Sequence, residues 1–220
     1  MSISENLKKY KNELPQQVKL VAVSKTKPLE DLREAYDAGQ RIFGENKIQE
    51  MTDKWEALPK DIQWHMIGHV QTNKVKYMAP YVSLIHSGDR LKLFKEINKQ
   101  GKKADRIINV LLQVKIAEED SKFGMDPKEA EDFLNGEPLA DFPYVNIKGL
   151  MGMASFVEDE KQLHREFAVV EKLYDRFREK HGFTILSAGM SGDYKIALEH
   201  KSNMVRIGSA IFGAREGGGW

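Results

Sequence analysis

The sequence predicts an α/β fold in which eight strands and the helices between them close into a single (β/α)8 TIM barrel. Eight short apolar segments alternate with segments of helical character, and parallel strands need such crossover connections. The chain has 220 residues, which lies at the lower end of the range for such barrels. The sequence contains no internal repeat and no linker rich in Pro, Gly or Ser. The same pattern leaves an open, doubly wound sheet as the alternative.

The apolar segments give the expected strands in chain order. Most are runs of four to six residues, and IINVLLQV is the longest and rich in β-branched side chains. The strands are expected at 20–23, 41–44, 62–67, 81–85, 107–114, 145–150, 183–186 and 204–207. We expect residues 1–220 to form one domain, with an N-terminal helix at 1–14 and a frayed tail at 216–220.

The helices between the strands carry start and stop signals. Pro28 opens the first of them and Gly39 ends it, and Gly101 is expected to stop the helix at 89–100. Asp126 is expected as an N-cap, with Pro127 at the first helical position and Glu129 completing a capping box. Further helices are expected at 46–57, 72–79, 159–181 and 193–200.

The helix at 159–181 is the longest and has the clearest apolar face. Its apolar residues follow one another at spacings of 4, 3, 4 and 3, which places them on one side of a helix. They are Leu163, Phe167, Val170, Tyr174 and Phe177, and Gly182 is expected to end the helix.

Composition excludes several classes of protein. The chain has no cysteine, so disulfides, thiolate metal sites and cysteine nucleophiles are ruled out. Its formal net charge of +1 argues against nucleic-acid binding, and its N-terminus lacks an apolar signal segment, so we expect a cytoplasmic protein. His65 and His69 would lie roughly 13 Å apart on a strand, too far to share a metal ion, and His86 stands alone. No Gly-x-Ser-x-Gly motif supports a hydrolase.

Two small-residue loops follow the last two strands, where β/α barrels commonly bind phosphate. SAGMSG at 187–192 and RIGSAIFG at 206–213 both lead into helices, whose first amides are available to an anion. Gly208 would allow close approach of the backbone, and Ser191 and Ser209 could donate hydroxyl hydrogen bonds. Alternatively, Ser191 simply caps the next helix.

Three further polar residues follow strand ends. Strand alternation puts Lys25 at the barrel mouth, as a Schiff-base nucleophile or as a solvated rim lysine, whereas Lys27 is expected to be an exposed charge. Arg206 could pair with a phosphate, a carboxylate or a cofactor ring nitrogen, or form a rim salt bridge. Asn46 either faces the mouth or caps a helix, and its chemistry favours capping.

The wording and order of five motifs resemble one family. AVSKTKP, FGEN, WHMIG with QTNK, SAGMSGD and MVRIGSAIFGAR occur in sequence, and the resemblance extends over residues 18–215. The chain closely resembles the pyridoxal phosphate homeostasis protein family, whose fold is similar to the N-terminal barrel of alanine racemase. The resemblance implies pyridoxal 5′-phosphate as the cofactor.

The resemblance also implies a role for each matching position. Lys25 matches the lysine that forms the Schiff base, and Arg206 matches the arginine facing the pyridine nitrogen. Ser191, Gly208 and Ser209 match the phosphate cradle, with the backbone of Met190 nearby. Asn46 matches a polar residue near the cofactor, and Lys122 resembles an arginine of alanine racemase near the phenolic oxygen.

The function implied is cofactor binding in vitamin B6 and amino-acid homeostasis, without catalytic turnover. In alanine racemase a tyrosine from a second domain supplies the opposite-face base, and this chain ends at Trp220, directly after the barrel. We therefore expect a monomer that binds neither nucleic acid nor membrane, with apoenzymes as recipients of the cofactor. An amino-acid racemase or a related enzyme is the alternative, and a lysine-dependent aldolase acting on a phosphorylated substrate is a third class.

Overall fold

Residues 1–120 and 123–214 are described by a computed structural model. Eight parallel strands close into a barrel in chain order, and the first strand pairs with the eighth, with Val21 opposite Arg206. The predicted barrel is confirmed, and the open-sheet alternative is wrong. The strands are β1 (Lys19–Val23), β2 (Ile42–Glu45), β3 (Gln63–Met66), β4 (Leu84–Gly88), β5 (Ile108–Val114), β6 (Val145–Gly152), β7 (Ile185–Ala188) and β8 (Met204–Ile207).

Helices surround the barrel and connect its strands. A capping box between Ser2 and Glu5 begins the first helix, and a 3₁₀ turn at Thr72–Lys74 precedes the fourth. The helices are α1 (Ile3–Glu13), α2 (Leu29–Asp37), α3 (Ile48–Ala57), α4 (Val75–Met78), α5 (Leu91–Ala104), α6 (Pro127–Asn135), α7 (Glu160–His181), α8 (Tyr194–Glu199) and α9 (Ser209–Phe212). The expected tail at 216–220 and Lys122 lie outside the described residues.

The apolar core has two parts because each strand presents side chains to two faces. A small cluster lies in the barrel interior, and a larger core lies between the strands and the helices. The inner cluster comprises Val21, Leu84, Leu111, Met151 and Met204.

Helix α7 confirms its predicted apolar face, because all five residues of the 4-3-4-3 pattern are buried. Asp159 caps its N-terminus by accepting hydrogen bonds from two amides, and Gly182 ends it in the left-handed conformation. The exposed residues of this 22-residue helix are all charged. Within residues 1–120 and 123–214, no helix has the length and apolar character needed to cross a membrane.

Two strands lie further along the chain than predicted. β4 begins at Leu84 rather than at Tyr81, and β7 begins at Ile185 rather than at Phe183. As a result His86 and Ser187 lie inside strands, although their polarity suggested that the strands had already ended. The barrel interior accepts these polar side chains because they hydrogen-bond to one another across it.

Two predicted helix signals are wrong. Gly101 does not stop α5, which continues to Ala104, and Asp105 takes the left-handed position after it. A β-carbon on Gly101 would lie 2.8 Å from the Arg106 carbonyl oxygen and 3.0 Å from Cβ of Tyr144, so glycine is there for close packing. Asp126 is the N-cap residue of α6, but its side chain makes no capping hydrogen bond, so the predicted capping box is not formed.

Candidate functional site

A cavity of about 830 Å³ opens at the carboxyl-terminal end of the barrel. It is lined by residues that follow β1, β6, β7 and β8. Six of the seven predicted site residues line it: Lys25, Met190, Ser191, Arg206, Gly208 and Ser209. Asn46 does not line it. The carboxyl-terminal end of the barrel therefore brings together most of the site residues that were predicted from the loops after the strands.

Lys25 lies in a turn directly after β1. The amide of Lys27 donates to the carbonyl of Ser24 at 3.1 Å, and Thr26 has a φ of 65°, so the chain reverses sharply around Lys25. Lys25 is half-buried and lines the cavity. The ammonium of Lys27 donates to the carbonyls of Gly213 and Ala214 at 3.0 and 2.9 Å, so the prediction of a merely exposed charge is wrong.

A buried ion pair, which the sequence analysis did not identify, holds the turn around Lys25 in place. The Glu45 carboxylate accepts from the Ser24 hydroxyl at 2.7 Å and from Nζ of Lys54 at 2.6 Å. Lys54 also donates to the Ser24 carbonyl at 2.7 Å and to Glu50, and Glu50 accepts from the amide of Thr26 at 2.7 Å. The residues on either side of Lys25 are thus both held by this cluster.

Glu45 has unusual electrostatics for a carboxyl group. Burial raises its pKa to about 7, although the charge of Lys54 and the hydrogen bonds from Lys54 and Ser24 oppose the rise. Its second oxygen, Oε2, is buried and has no partner within the described part of the chain. Glu45 belongs to the FGEN motif, so the motif was visible in the sequence, but its partner Lys54 is a helical lysine with no distinguishing signal.

The loop after β7 is closed by an internal hydrogen bond, and two of its amides have no acceptor among the described residues. The Asp193 carboxylate accepts from the amide of Met190 at 2.7 Å, and Asp193 precedes α8 as its N-cap residue. The capping alternative for Ser191 is therefore wrong. Within residues 1–120 and 123–214, no acceptor is present for the amides of Ser191 and Gly192. These amides lie in residues that line the cavity.

The loop after β8 presents a similar arrangement. Gly208 precedes α9, and the amide of Ser209 has no acceptor among the described residues. A β-carbon on Gly208 would lie 3.3 Å from both Cβ and the carbonyl oxygen of Val23, so a side chain here would crowd the end of β1. Both loops therefore line the cavity with backbone amides that lack acceptors in the described part of the chain.

Arg206 lies in β8, and its side chain is buried against the barrel interior while still lining the cavity. Its Nη1 donates to the hydroxyl of Ser187 and its Nη2 donates to the carbonyl of Gly152 at 3.2 Å. Burial lowers the pKa of Arg206 to about 10, and the charge of Asp193 opposes this. Arg206 is therefore a cation at neutral pH whose orientation is fixed by the barrel.

A chain of hydrogen bonds continues from Arg206 across the barrel. The Ser187 hydroxyl lies 2.9 Å from Nδ1 of His86, and Nε2 of His86 lies 2.9 Å from Nδ1 of His65. His86 therefore does not stand alone, as its sequence neighbours suggested. Burial lowers the pKa of His65 to about 3 and that of His86 well below its usual range, so both rings are neutral at neutral pH.

The mouth of the cavity is shaped by a loop after β6. The Glu166 carboxylate, buried on α7, accepts from the amide of Ser155 at 2.6 Å, from its hydroxyl at 2.8 Å and from the amide of Glu118 at 3.0 Å. Burial raises the pKa of Glu166, but these hydrogen bonds outweigh that effect and the pKa is lowered overall. Phe156, next to this fixed serine, is 92% exposed at the cavity mouth.

Asn46 neither lines the cavity nor caps a helix. It follows β2 and precedes Lys47, which is the N-cap residue of α3, so the capping interpretation is wrong. A β-carbon on Gly68 would lie 2.3 Å from the Asn46 carbonyl oxygen, so its backbone packs closely against the loop after β3. Among the described residues, no group of His, Asp and Glu is arranged to hold a metal ion.

Sequence comparisons place this barrel among characterised relatives. The profile of the family described as "Alanine racemase, N-terminal domain" matches residues 1–216. The pyridoxal phosphate homeostasis protein of Aquifex aeolicus is 38% identical over 201 residues, covering 90% of this chain and 87% of that protein. The protein of the same name from Vibrio alginolyticus is 41% identical over 209 residues, covering 92% and 88%.

Structural comparisons agree. PipY of Synechococcus elongatus PCC7942, in its structure with PLP bound, matches with a TM-score of 0.86 at 32% identity, covering 96% of this chain and 100% of that one. An alanine racemase of Clostridium difficile 630 matches with a TM-score of 0.81 but 14% identity, over 99% of this chain and 58% of that one, which shows a common fold. With the profile match and these full-length relatives together, the chain belongs to the pyridoxal phosphate homeostasis protein family, built on the N-terminal domain of alanine racemase.

Proposed function

We propose that this protein binds pyridoxal 5′-phosphate in the cavity at the carboxyl-terminal end of the barrel and serves the homeostasis of that cofactor. The observation that carries the proposal is that one cavity is lined by the amine-bearing Lys25, the buried cation Arg206 and two loops with amides that lack acceptors among the described residues. Lys25 is the residue that bonds to the aldehyde carbon. The names of the relatives and the PLP-bound PipY structure support the choice of cofactor.

The two loops suit a phosphate group. A phosphate monoester is a multiply charged acceptor, and the amides of Ser191, Gly192 and Ser209 are donors that lack acceptors among the described residues. The hydroxyls of Ser191 and Ser209 add two more donors, and Met190 contributes backbone. A side chain on Gly208 would crowd Val23, so glycine lets this loop lie close to the end of β1 beside the proposed phosphate site.

Arg206 suits the ring nitrogen of the cofactor. PLP supplies an aldehyde and an aromatic ring that acts as an electron sink when its nitrogen is protonated. A guanidinium is a donor without an acceptor site, so Arg206 favours the unprotonated ring nitrogen and a weaker electron sink. Its bonds to Ser187 and Gly152 keep it in this orientation. The residues of the site therefore favour holding the cofactor over activating it.

We propose further that the protein delivers PLP to apoenzymes and does not turn over amino acids. The relatives' names support a homeostatic role, whereas the racemase neighbour, at 14% identity, supports the fold alone. Racemisation needs two bases on opposite faces of the substrate carbon. Asn46, which does not line the cavity, is proposed to act only indirectly, through its close backbone packing against the loop after β3.

The test of the binding proposal is the visible spectrum of the purified protein incubated with PLP, followed by borohydride reduction and peptide mass spectrometry. We expect a visible-absorbing adduct on Lys25 that is absent in Lys25→Ala. Lys27→Ala is the matched control, because Lys27 also lines the cavity two residues away, and it should retain the adduct. An unchanged adduct in Lys25→Ala would refute the assignment.

The carrier and the enzyme are separated by a second pair of assays. Transfer of PLP from the loaded protein to an apoenzyme, without turnover of any L- or D-amino acid, supports the carrier. Turnover that Lys25→Ala abolishes would establish the enzyme instead. A purified protein that forms no PLP adduct but cleaves a phosphorylated aldol substrate would point to the aldolase.

A further inference from the structure

A second cavity, of about 340 Å³, lies at the opposite, amino-terminal end of the barrel. It is formed by the first residues of the strands, so the barrel interior separates it from the cofactor cavity. Polar residues predominate in its lining, among them Lys19, Gln63, His65, Asn109 and Lys148. Its volume is at the small end of the range for ligand pockets, which suits a compact ligand.

The charge of this cavity is positive. Lys19 and Lys148 line it, and none of the described residues that line it is Asp or Glu. Neither lysine forms an ion pair with a described residue. Two uncompensated cations around a concave mouth create a field that attracts anions.

Hydrogen-bond donors accompany these charges. The Asn109 side-chain oxygen accepts from Asn146 at 3.4 Å, which leaves the amide nitrogen of Asn109 to donate toward the cavity. The hydroxyls of Ser83 and Thr184 line the cavity as well and have no hydrogen bond to a described residue. By contrast, Asn203 is already engaged, because its amide donates to the Thr184 carbonyl at 2.8 Å.

His65 supplies a further donor, and the buried hydrogen-bond chain determines which nitrogen carries its proton. Arg206 can only donate, so the Ser187 hydroxyl accepts from it and gives its own proton to Nδ1 of His86. His86 then donates from Nε2 to Nδ1 of His65, and neutral His65 keeps its proton on Nε2. The reverse order would leave the Ser187 proton without an acceptor among the described residues. His65 is buried and lines the cavity, so this N–H is the group it offers there.

We propose that the amino-terminal cavity is a second ligand site, which binds a small phosphate-type oxyanion between Lys19, Lys148, Asn109 and His65. The ligand class follows from two cations, several donors and the lack of a lining carboxylate within the described residues. The inference does not depend on the proposed function, because none of these residues lines the cofactor cavity.

The test is a titration of the full-length protein with inorganic phosphate at constant ionic strength, followed by ¹H–¹⁵N NMR. We expect saturable shifts at the amides of Asn109, Lys148 and Thr184 and at the ring N–H of His65. Shifts confined to the cofactor loops at Ser191 and Ser209, or no saturation at the amino-terminal end, would overturn the proposal.

A paired variant makes the test independent of non-specific charge effects. The double variant Lys19→Met/Lys148→Met should weaken phosphate binding at this end by about tenfold or more, because it removes both charge-assisted contacts. The control Lys92→Met/Lys172→Met removes the same charge from exposed helical positions that line neither cavity, and it should bind as the wild type does. Equal affinity in the two double variants would also overturn the proposal.

Discussion

Replacing Glu45 by Gln tests the physical description of the cluster beneath Lys25. The side chain of Glu45 is fully buried, and burial raises its pKa from 4.5 to about 7. In the unfolded chain the carboxyl titrates near the lower value. The folded protein therefore holds a proton on Glu45 in a pH range where the unfolded chain has lost it.

The sign and size of the effect follow from linkage. A carboxyl with a raised pKa in the folded state stabilises the protein fully below the unfolded pKa, and this contribution is lost as the pH rises through the folded pKa. For a pKa that moves from 4.5 to about 7, the contribution of Glu45 to the free energy of unfolding falls by roughly 2.5 kcal/mol between pH 5 and pH 8. Most of the fall occurs before pH 7.

Urea unfolding at several pH values between 5 and 8 measures this contribution. The free energy of unfolding of the wild type minus that of Glu45→Gln should fall by about 2.5 kcal/mol over this range, since other titrating groups cancel in the difference. Glu30→Gln, which changes an exposed carboxyl on α2, is the control, and the fall with Glu45→Gln should exceed any fall with Glu30→Gln. A flat difference for Glu45→Gln would refute the reasoning, because the buried carboxyl would then titrate as it does in the unfolded chain.

Three further predictions concern the other buried polar groups. His86→Phe removes the acceptor of the Ser187 hydroxyl proton and the donor to His65, and it should lower the free energy of unfolding by about 2–4 kcal/mol in urea, with a loss below 1 kcal/mol contradicting the network. Glu166→Gln replaces an acceptor of several hydrogen bonds and should cost about 2–3 kcal/mol by the same measurement, whereas Glu160→Gln on the same helix should be nearly neutral. Arg206→Lys keeps the charge but loses the planar guanidinium that bonds to Ser187 and Gly152, so PLP retention in equilibrium dialysis should weaken about tenfold. Unchanged retention would show that Arg206 is not part of the site.

The fold was predictable because its signals are local. β8 lies at the predicted residues 204–207, and the face of α7 follows from spacing alone. Both signals come from residues close together in the chain. The errors arise where packing that the sequence does not reveal is involved: Gly101 lies inside a helix, in close contact with Arg106 and with Tyr144, which comes more than forty residues later.

The cavity was predictable for a different reason. The carboxyl ends of parallel strands meet at one end of a barrel, so the loops after β1, β7 and β8 had to converge whatever their detailed conformation. The buried partners were not predictable in this way. Lys54 is one of many helical lysines, and His86 reads as an isolated histidine until the closed barrel places β4 beside β3 and across the interior from β7.

These partners explain why so many polar groups lie inside an apolar barrel. A buried carboxylate or guanidinium costs free energy even when it is hydrogen-bonded, so stability alone does not account for Glu45, Arg206 or Glu166. Each of them instead fixes one wall of the cavity at the carboxyl-terminal end of the barrel: Glu45 the turn around Lys25, Arg206 the end of β8, and Glu166 the loop at the mouth. A cavity whose walls are already fixed before a ligand binds needs little rearrangement to take it up. The preformed shape of this cavity therefore explains these buried groups better than the stability of the barrel does.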